Sequence, residues 1–336
     1  MKQPTMEDVA NLAGVSAATV SYVINHGPRP VAEHTQQRVN EAIKVLGYQP
    51  HAIAHSLKRG STQTVGLLVQ SLISAFVSNL VNSIEENLAE HNYSLILASA
   101  HEDCDRETHM INTLAGQSID GLLLIPTSCR NGHLIDRLIQ RGIPVVLVDR
   151  DIQDSYVDIV MTDNVDASKN VTNHLIELGC RRILCISFSD DASSALDRVK
   201  GYRLALNQNG IPIDENLIYV FQYASGESIE QSLLDHIHKY GSPDGVLCTT
   251  DTMLIDVTET LTKTGIKVPE QVRVGGGFFD SPWNRLLDPP LPIVSQNYKL
   301  ISKYSVEFLL DRINGNQEPP RVKLIPADLN YTEGIR

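Results

Sequence analysis

The sequence TMEDVANLAGVSAATVSYVIN occupies residues 5–25 and predicts two short helices separated by a tight turn. Thr5 is a favoured N-cap residue, and the apolar side chains after it recur with the period of an amphipathic helix. Gly14 tolerates the positive φ that ends a helix abruptly, and Ser16 can cap the next one. Two short helices joined by a glycine turn form a helix-turn-helix, the unit that lays its second helix into a DNA major groove.

The outward face of the second helix carries short or hydrogen-bonding side chains. Such side chains let a helix approach base edges and phosphates closely. They are Ala17, Ala18, Thr19, Ser21, Tyr22 and Asn25. A helical hairpin that never meets DNA is the alternative for an arbitrary helix-glycine-helix, but the spacing here is far more particular.

The pattern DVAxxAGVSxxTVSxVxN over residues 8–25 resembles the signature of the LacI/GalR repressors. The resemblance continues through Val39, Ala42, Leu46, Gly47, Tyr48, Pro50, Ala52, Ala54, Ser56 and Leu57. It implies a homodimeric, DNA-binding transcription factor whose hold on operator DNA is set by a small molecule. The DNA contacts that it implies, together with those of the helix face, are Thr5, Ser16, Ala17, Ala18, Thr19, Ser21, Tyr22, Asn25, Arg29, Tyr48, Ala54, Leu57 and Lys58.

A third helix is predicted from Thr35 to Leu46, which completes an all-α headpiece over residues 1–50. Residues 51–63 follow as a short helical stretch and a polar linker, and such a helix is marginal by itself. By the resemblance this is a hinge helix, whose Leu57 enters the minor groove and kinks the duplex. A connector helix with a buried leucine is the alternative.

The composition is that of a globular protein of two or three domains. Of the 336 residues, 42% are hydrophobic and 20% are charged. The apolar runs are too short to cross a bilayer and no export leader opens the chain, so we expect a cytoplasmic protein without a membrane partner. Five cysteines without a CxxC pair fit reduced thiols.

The net charge of −12 is unevenly distributed along the chain. Residues 1–60 hold six basic and four acidic side chains, so the acidic excess lies entirely in the remainder. A weakly basic head on an acidic body fits a protein that touches DNA with one end only. Because the excess of basic residues in the head is small, the affinity for DNA should depend strongly on dimerisation and on contacts with the DNA backbone.

From residue 64 onward, short apolar strands alternate with amphipathic helices. The predicted strands are 64–68, 93–98, 121–126, 145–148, 183–186, 218–220, 245–249 and 272–276, and the helices are 76–91, 107–117, 132–141, 167–178, 196–208, 228–239 and 253–265. The alternation predicts parallel sheets covered by helices on both sides, in two similar lobes. The fold class is therefore a helix-turn-helix headpiece followed by α/β, with two doubly wound lobes of periplasmic-binding-protein type.

A ligand of such lobes binds beyond the carboxyl ends of the strands, where the lobes face each other. The resemblance implies that the chain crosses between the lobes three times. The core over 64–336 then divides into a first lobe of about 64–162 and 297–323 and a second lobe of about 163–296 and 324–336.

The resemblance also implies an effector site centred on Arg198, a planar donor suited to hydroxyls, carboxylates or phosphates, and a surface arginine at a helix start is the alternative. The effector contacts predicted from the resemblance and from position in the fold are Ala75, Phe76, Asp149, Arg198, Thr250, Asp251, Phe279, Asp280, Trp283 and Gln296. Trp283 either stacks on a sugar or packs in the fold. The family usually has asparagine at Thr250 and an acid at Phe279. Either Asp280 replaces that acid or the effector is less hydroxyl-rich or more anionic, and we expect a sugar acid or sugar phosphate ahead of a neutral sugar.

Other function classes find little support in the sequence. His101, Cys104 and His109 do not have the spacing or number of a closed zinc site, so we expect no metal. No nucleophile elbow, phosphate loop or dinucleotide fingerprint occurs, so we expect neither an enzyme nor a cofactor. The leading hypothesis is a repressor of a carbohydrate-utilisation operon, and the alternative is a solute-binding module without DNA function.

Overall fold

The computed structural model describes residues 4–24, 31–48, 61–128, 132–221, 228–279, 284 and 290–330. By its internal contacts the chain divides into two compact units, Met1–Thr62 and Gln63–Arg336, which are described separately. Among the described residues, no helix combines the length and apolar character needed to span a bilayer.

The described part of the N-terminal unit contains the helices α1 Met6–Ala13, α2 Ala17–Ile24 and α3 Glu33–Leu46. A capping box begins α1: the Thr5 hydroxyl accepts from the Asp8 N–H at 3.3 Å, and the Asp8 carboxylate accepts from the Thr5 N–H at 2.7 Å. Gly14 ends α1 in the left-handed conformation, with φ of 63°. The predicted helix-turn-helix is therefore confirmed, cap and turn included.

One fully buried valine from each helix forms the centre of this unit: Val9, Val20 and Val39. The turn between the first two helices is tied to the third by Arg38, whose Nη2 donates to the Ala13 carbonyl at 2.6 Å and to the Gly14 carbonyl at 3.2 Å. These carbonyls lie at the C-terminus of α1, where the helix leaves its acceptors unpaired. Arg38 thus stabilises the turn.

The second unit contains two six-stranded sheets. The strands are β1 Thr64–Val69, β2 Ser94–Ser99, β3 Gly121–Leu124, β4 Val145–Val148, β5 Asp158–Thr162, β6 Ile183–Ser187, β7 Ile218–Val220, β8 Gly245–Cys248, β9 Arg273–Gly276, β10 Ile293–Ser295, β11 Val322–Ile325 and β12 Asp328–Asn330. The first sheet has the order β11-β5-β4-β3-β1-β2 and is parallel throughout. The second has the order β12-β10-β9-β8-β6-β7 and is parallel except for β12.

Helices cover both faces of each sheet. They are α4 Ala75–Glu90, α5 Cys104–Gly116, α6 Gly132–Gln140, α7 Asn164–Glu177, α8 Ser193–Gln208, α9 Ile229–Tyr240, α10 Asp251–Lys263 and α11 Tyr298–Ile313. Along β1, Val65 and Leu67 enter the apolar cluster under α4 and α11, whereas Leu68 enters the cluster under α5 and α6. Buried side chains on alternate faces of one strand are the mark of a doubly wound sheet.

The chain passes three times between the sheets. It leaves the first sheet after β5 and builds the second with β6 to β10, then returns through α11 to add β11 to the first, and ends with β12 in the second. We call the first sheet with α4, α5, α6 and α11 the first lobe, and the second sheet with α7 to α10 the second lobe.

The structure differs from the predicted elements mainly at their ends. Three helices begin three residues earlier than their apolar stripes predicted, at Cys104, Asn164 and Ser193. For two of them the reason is a carboxylate N-cap, since Asp103 and Asp163 accept from the backbone N–H groups of Arg106 and Asp166. The first turns of these helices are polar, so no hydrophobic periodicity marks where the helices begin. The helix α11 and the strands β5, β10, β11 and β12 were not predicted.

Candidate functional site

The outward face of α2 is accessible. Ser16, Ala17 and Ala18 are exposed, and Thr19, Ser21 and Tyr22 are half-buried. The Ser16 hydroxyl accepts from the Thr19 N–H at 3.1 Å, so it caps α2 as its sequence position predicted. The α2 residues predicted to face DNA therefore lie on the accessible side of a helix whose start is fixed.

Two further predicted DNA contacts serve the fold of the headpiece. The Thr5 hydroxyl is exposed but engaged with Asp8 in the capping box. Tyr48 has only 6% of its surface exposed and belongs to the apolar cluster that holds the three helices together. Its ring is a core side chain rather than the predicted DNA contact. The predicted contacts Asn25, Arg29, Ala54, Leu57 and Lys58 lie outside the described residues.

A cavity of about 440 Å³ lies between the two lobes, where the carboxyl ends of their strands meet. This volume falls within the roughly 300–1,000 Å³ of small-molecule sites. The first lobe contributes residues that follow β1, β3 and β4, and the second lobe contributes residues that follow β6, β8 and β9. The position matches the site predicted from the alternation of strands and helices.

Arg198 lies at the base of this cavity and is 4% exposed. Its guanidinium donates to the Asn164 side chain at 2.8 Å, to the Thr249 carbonyl at 2.6 Å and to the Gln296 side chain at 3.5 Å. The ring of Phe278 covers one face of the guanidinium, with 3.8 Å between the guanidinium carbon and the ring centroid. Burial lowers the pKa of Arg198 to about 10, so it stays charged at neutral pH.

A close crossing of α7 and α8 positions Arg198. A β-carbon on Gly201, one turn after Arg198, would lie 2.3 Å from the Val165 carbonyl oxygen, so only glycine allows the helices to approach this closely. At the same crossing the Ser168 hydroxyl donates to the Arg198 carbonyl at 2.6 Å. The close packing of α7 and α8 therefore requires the glycine that follows Arg198 by three residues.

Gln296 links Arg198 to the first lobe. Its side chain donates to the Thr162 hydroxyl at 2.7 Å and to the Asp149 carboxylate at 3.3 Å. Gln296 lies on the segment by which the chain returns to the first lobe, and Asn164 lies just after the segment by which it first leaves. The buried arginine therefore contacts residues at two of the three crossings.

A second guanidinium, Arg150, lines the cavity from the first lobe and is 5% exposed. Its two terminal nitrogens each lie 3.2 Å from a carboxylate oxygen of Glu102 in a bidentate pair, and one of them also donates to the carbonyls of Pro126 and Thr127. Phe188 of the second lobe lies under it, with the guanidinium carbon 5.2 Å from the ring centroid.

Direct hydrogen bonds join the lobes at the rim of the cavity. The Asp251 carboxylate of the second lobe accepts from the Ser74 hydroxyl at 3.2 and 3.3 Å and from the Ala75 N–H at 3.1 Å. Ser74 and Ala75 begin α4, so Asp251 supplies negative charge to the N-terminus of a helix in the other lobe. Nearby, the Asp151 N–H donates to the Ser193 hydroxyl at 2.6 Å.

The structure brings most of the predicted effector residues together. Those lining the cavity are Phe76, Asp149, Arg198, Thr250, Asp251 and Gln296. Ala75 takes part through its backbone N–H only. Phe279 does not line the cavity, because its ring packs against the apolar cluster of the first lobe, 6.5 Å from the ring of Tyr298. Asp280 and Trp283 lie outside the described residues.

Several lining residues were not predicted from the sequence. They are Gln70, Glu102, Thr127, Arg150, Phe188 and Phe278. Gln70 and Arg150 come within two residues of the ends of β1 and β4. Position after a parallel strand was therefore the signal that could have found them.

A metal site has no support in this structure. Within the part of the chain that the structure describes, no three His, Cys, Asp or Glu side chains form a group able to hold a metal ion. Of the trio considered from the sequence, only Cys104 lines the cavity. Burial is the main factor that raises the pKa of the Cys104 thiol, which disfavours the thiolate that would bind a metal or act as a nucleophile.

A helix-turn-helix unit and a two-lobed unit with a cavity between its lobes define a class, the ligand-responsive DNA-binding regulators. Comparison with known families places the chain within this class. Residues 5–51 match the model of bacterial regulatory proteins of the lacI family, and residues 62–333 match that of periplasmic binding proteins and the sugar binding domain of the LacI family. The chain belongs to the LacI family: it is a DNA-binding transcriptional repressor controlled by a small-molecule effector.

Relatives of known name agree along nearly the whole length. The chain is 33% identical to the HTH-type transcriptional repressor PurR of Vibrio atlanticus (strain LGP32), covering 95% of this chain and 94% of that protein. It is 32% identical to the ribose operon repressor of Escherichia coli (strain K12), covering 96% and 97%. Among solved structures, a complex of the transcriptional regulator CelR with cellobiose has a TM-score of 0.71 and 32% identity, covering 97% and 98%.

Proposed function

We propose that this repressor controls a carbohydrate-utilisation operon and that its effector is a small sugar or sugar derivative bound between the two lobes. The observation that carries the proposal is the cavity itself, whose buried Arg198 is hydrogen-bonded to residues at two crossings between the lobes. Two relatives, by their printed names, concern a ribose operon and cellobiose, which supports a carbohydrate.

On the DNA side, we propose a homodimer on a near-palindromic operator. The accessible face of α2 would lie in the major groove, with Ala17, Ala18, Ser21 and Tyr22 near the base edges and Ser16 and Thr19 near phosphates. Residues 1–50 would form the headpiece, 51–63 the hinge and 64–336 the effector-binding and dimerisation core. The hinge prediction, with Leu57 in the minor groove, concerns residues outside those that the structure describes.

The coupling would run through the crossings. A ligand that contacts Arg198 competes with or reinforces its hydrogen bonds to Asn164 and Gln296, and so changes the relative free energies of two arrangements of the lobes. An effector can shift such an equilibrium only by its difference in affinity for the two arrangements.

We further propose that the protein acts in the cytoplasm and is not an enzyme. The similar proteins of known name are transcriptional repressors, which supports both statements. The alternative is a solute-binding module with an inactive headpiece. The alternative predicts a ligand-binding protein without preference for any duplex.

The test is selection of binding sites from a random duplex library by the full-length protein, followed by gel shifts at several salt concentrations. We expect two-fold symmetric sites and a steep salt dependence, because several phosphates are contacted. Tyr22→Ala should change the preferred base at one position per half-site, whereas Leu12→Ala, an exposed change on α1, should not. Failure to select any site, both without ligand and with candidate sugars and sugar derivatives added, would contradict the repressor proposal and favour the alternative.

A further inference from the structure

We propose that the first-lobe wall of the cavity binds hydroxyl groups and that the effector is a neutral, polyhydroxylated molecule rather than a sugar acid or sugar phosphate. This inference rests on the proposed function, since it assigns the chemical class of the ligand at the same cavity. Two independent features carry it: polar atoms without partners on one wall, and the balance of charge around the cavity.

Three side chains on the first-lobe wall hold a buried polar atom without a hydrogen-bond partner among the described residues. They are the Gln70 amide oxygen, the Thr127 hydroxyl and the Arg150 Nε. All three residues line the cavity, and each is more than nine-tenths buried. Buried polar groups in folded proteins are nearly always paired, so partners missing inside a cavity indicate where a ligand supplies them.

The three side chains are neighbours by topology. Gln70, Thr127 and Arg150 follow β1, β3 and β4, which are adjacent parallel strands in the order β4-β3-β1. Adjacent strands lie about 4.8 Å apart, so the three chain ends form a row along one wall. A small ligand against that wall therefore meets three groups side by side along the row: an acceptor, a hydroxyl and a donor.

The chemistry of this row favours hydroxyl groups. The Gln70 oxygen only accepts, the Arg150 Nε–H only donates, and the Thr127 hydroxyl does both. An ionised carboxylate or phosphate dianion only accepts, so an anionic group placed against this row would leave the Gln70 oxygen unpaired, and only the hydroxyl part of an anionic sugar could satisfy it. A sugar hydroxyl donates and accepts, and a set of hydroxyls can satisfy all three atoms.

The charge around the cavity also disfavours an anion. Among the described lining residues there are five carboxylates, Glu102, Asp149, Asp190, Asp191 and Asp251, against two guanidiniums. The terminal nitrogens of Arg150 are paired with Glu102, which leaves only its Nε–H for a ligand, and Arg198 already donates to Asn164, Thr249 and Gln296. An incoming anion would meet that Nε–H beside the Glu102 carboxylate and would also face the other four carboxylates.

This conclusion reverses the preference for an anionic effector that the sequence favoured. That preference depended on Phe279 replacing a carboxylate at the site. In the structure Phe279 packs on the first lobe, and carboxylates reach the cavity from other segments, including Asp190 and Asp191 of the loop between β6 and α8. The carboxylate that is missing at Phe279 is therefore replaced by carboxylates elsewhere around the cavity.

The experiment is calorimetric titration of the full-length protein with matched pairs of neutral and anionic probes. The pairs are D-ribose and ribose 5-phosphate, D-xylulose and xylulose 5-phosphate, D-glucose and gluconate, and cellobiose and cellobionate. We expect at least one neutral probe to bind, with its anionic partner weaker by tenfold or more. An anionic probe that binds as tightly as its neutral partner overturns the proposal, and so does the absence of binding by all neutral probes.

Variants assign the binding to the row of unpaired atoms. Gln70→Met removes the acceptor at similar size, and Arg150→Lys keeps the charge without the Nε–H. Each should weaken the neutral probe about 10- to 100-fold, as expected when a buried hydrogen bond loses one partner. Gln140→Met, an exposed change on α6, is the control and should bind as the wild type does. Unchanged affinity in both cavity variants, with thermal unfolding also unchanged, overturns the assignment.

The failure of this inference is separable from that of the proposed function. The selection of DNA sites is run without ligand and again with the neutral and the anionic probes, so a site selected under any of these conditions reports the repressor activity. A protein that selects symmetric sites and binds only anionic probes keeps the proposed function and loses the inference. A protein that binds a neutral sugar but selects no DNA keeps the inference about the cavity and loses the repressor.

Discussion

At the scale of single residues, the fully buried carboxylate of Asp158 shows how one side chain can join distant parts of the chain. It begins β5 and accepts from Arg312 on α11 at 2.8 and 2.9 Å and from the Arg321 guanidinium, just before β11, at 2.9 Å. The Arg321 N–H also donates to it at 2.7 Å. Asp158 thereby holds the segment that returns to the first lobe.

Substitution Asp158→Asn should reduce the free energy of unfolding by roughly 3 kcal/mol, because Arg312 loses its counter-charge at a largely buried position and Arg321 keeps only Asp311. The control is Asp166→Asn, which removes a solvent-exposed pair with Lys169 and should cost less than about 1 kcal/mol. Urea denaturation of both variants measures the two losses. Equal losses would contradict the role assigned to Asp158.

The pH dependence of stability follows from the same group. Burial alone would raise the pKa of Asp158, but the hydrogen bonds from Arg312 and Arg321 outweigh it and hold the pKa below its ordinary value. The stabilisation is therefore fully present above the unfolded-state pKa of about 3.9 and is lost as the pH falls through the lower native pKa. We expect the stability difference between wild type and Asp158→Asn to be constant from pH 5 to 7 and to shrink below pH 4. A difference that grows on acidification would contradict the assignment.

The sequence predicted single residues well where a motif carried them and poorly where only topology did. Arg198 was predicted because its Arg-x-x-Gly-Tyr stretch resembles that of the family's effector-binding arginine, and the structure adds that Gly201 in this stretch is required by helix packing. Arg150 is similarly buried and lines the same cavity, but no sequence motif surrounds it. Its pairing with Glu102 depends on the ends of two strands that meet only in the fold. Tyr48 was predicted as a DNA contact from the resemblance. The sequence does not show that its ring is buried in the apolar cluster of the three helices.

At the scale of elements, hydrophobic periodicity predicted the helices α1 to α10 and most of the strands. It missed the helix α11, whose buried face includes Ser302 and Ser305 and so is not marked by apolar side chains alone, and the strands β5, β10, β11 and β12. β11 also lies at an edge of its sheet and leaves Val322 and Leu324 largely exposed, so its apolar side chains do not mark a buried face. Polar first turns explain the late predicted starts of the helices.

The crossing of α7 and α8 is the element-scale feature on which the cavity most depends. Gly201→Ala places a methyl group where the Val165 carbonyl lies, so the helices must separate. We expect a loss of stability of about 1–3 kcal/mol and weaker sugar binding, since Asn164 and Arg198 flank the crossing. Thermal unfolding and calorimetry measure the two effects.

The matched control is Gly116→Ala at the end of α5, where a β-carbon would meet nothing within 4 Å. This change should be neutral or slightly stabilising, because alanine favours a helix over glycine by up to about 1 kcal/mol. If both alanine variants behaved alike, close packing at Gly201 would not be what positions Arg198.

At the scale of the whole molecule, the two lobes share a cavity and are joined by direct hydrogen bonds across it. One of these lobe-to-lobe contacts is made by Asp251, whose carboxylate accepts from both Ser74 and Ala75 at the N-terminus of α4. We expect this single side chain to have a large effect on how firmly the lobes close, because its negative charge lies at the N-terminus of a helix in the other lobe.

Asp251→Ala should favour a more open arrangement of the lobes. Small-angle X-ray scattering of the ligand-free variant should give a larger radius of gyration than the wild type, and sugar should bind more weakly. Asp190→Ala is the control, because Asp190 lines the cavity but is exposed at its edge. An unchanged radius in Asp251→Ala would show that this bond does not hold the lobes together.

The central claim is that a small molecule between the lobes sets the affinity of the headpiece for DNA. The most direct measurement is fluorescence anisotropy of a labelled, selected DNA site titrated with full-length protein, with and without the sugar found by calorimetry. For the wild type we predict a change in apparent Kd of roughly 5- to 150-fold, the usual size of allosteric coupling. For Arg198→Met we predict no change. The same Kd with and without bound sugar in the wild type would contradict the claim.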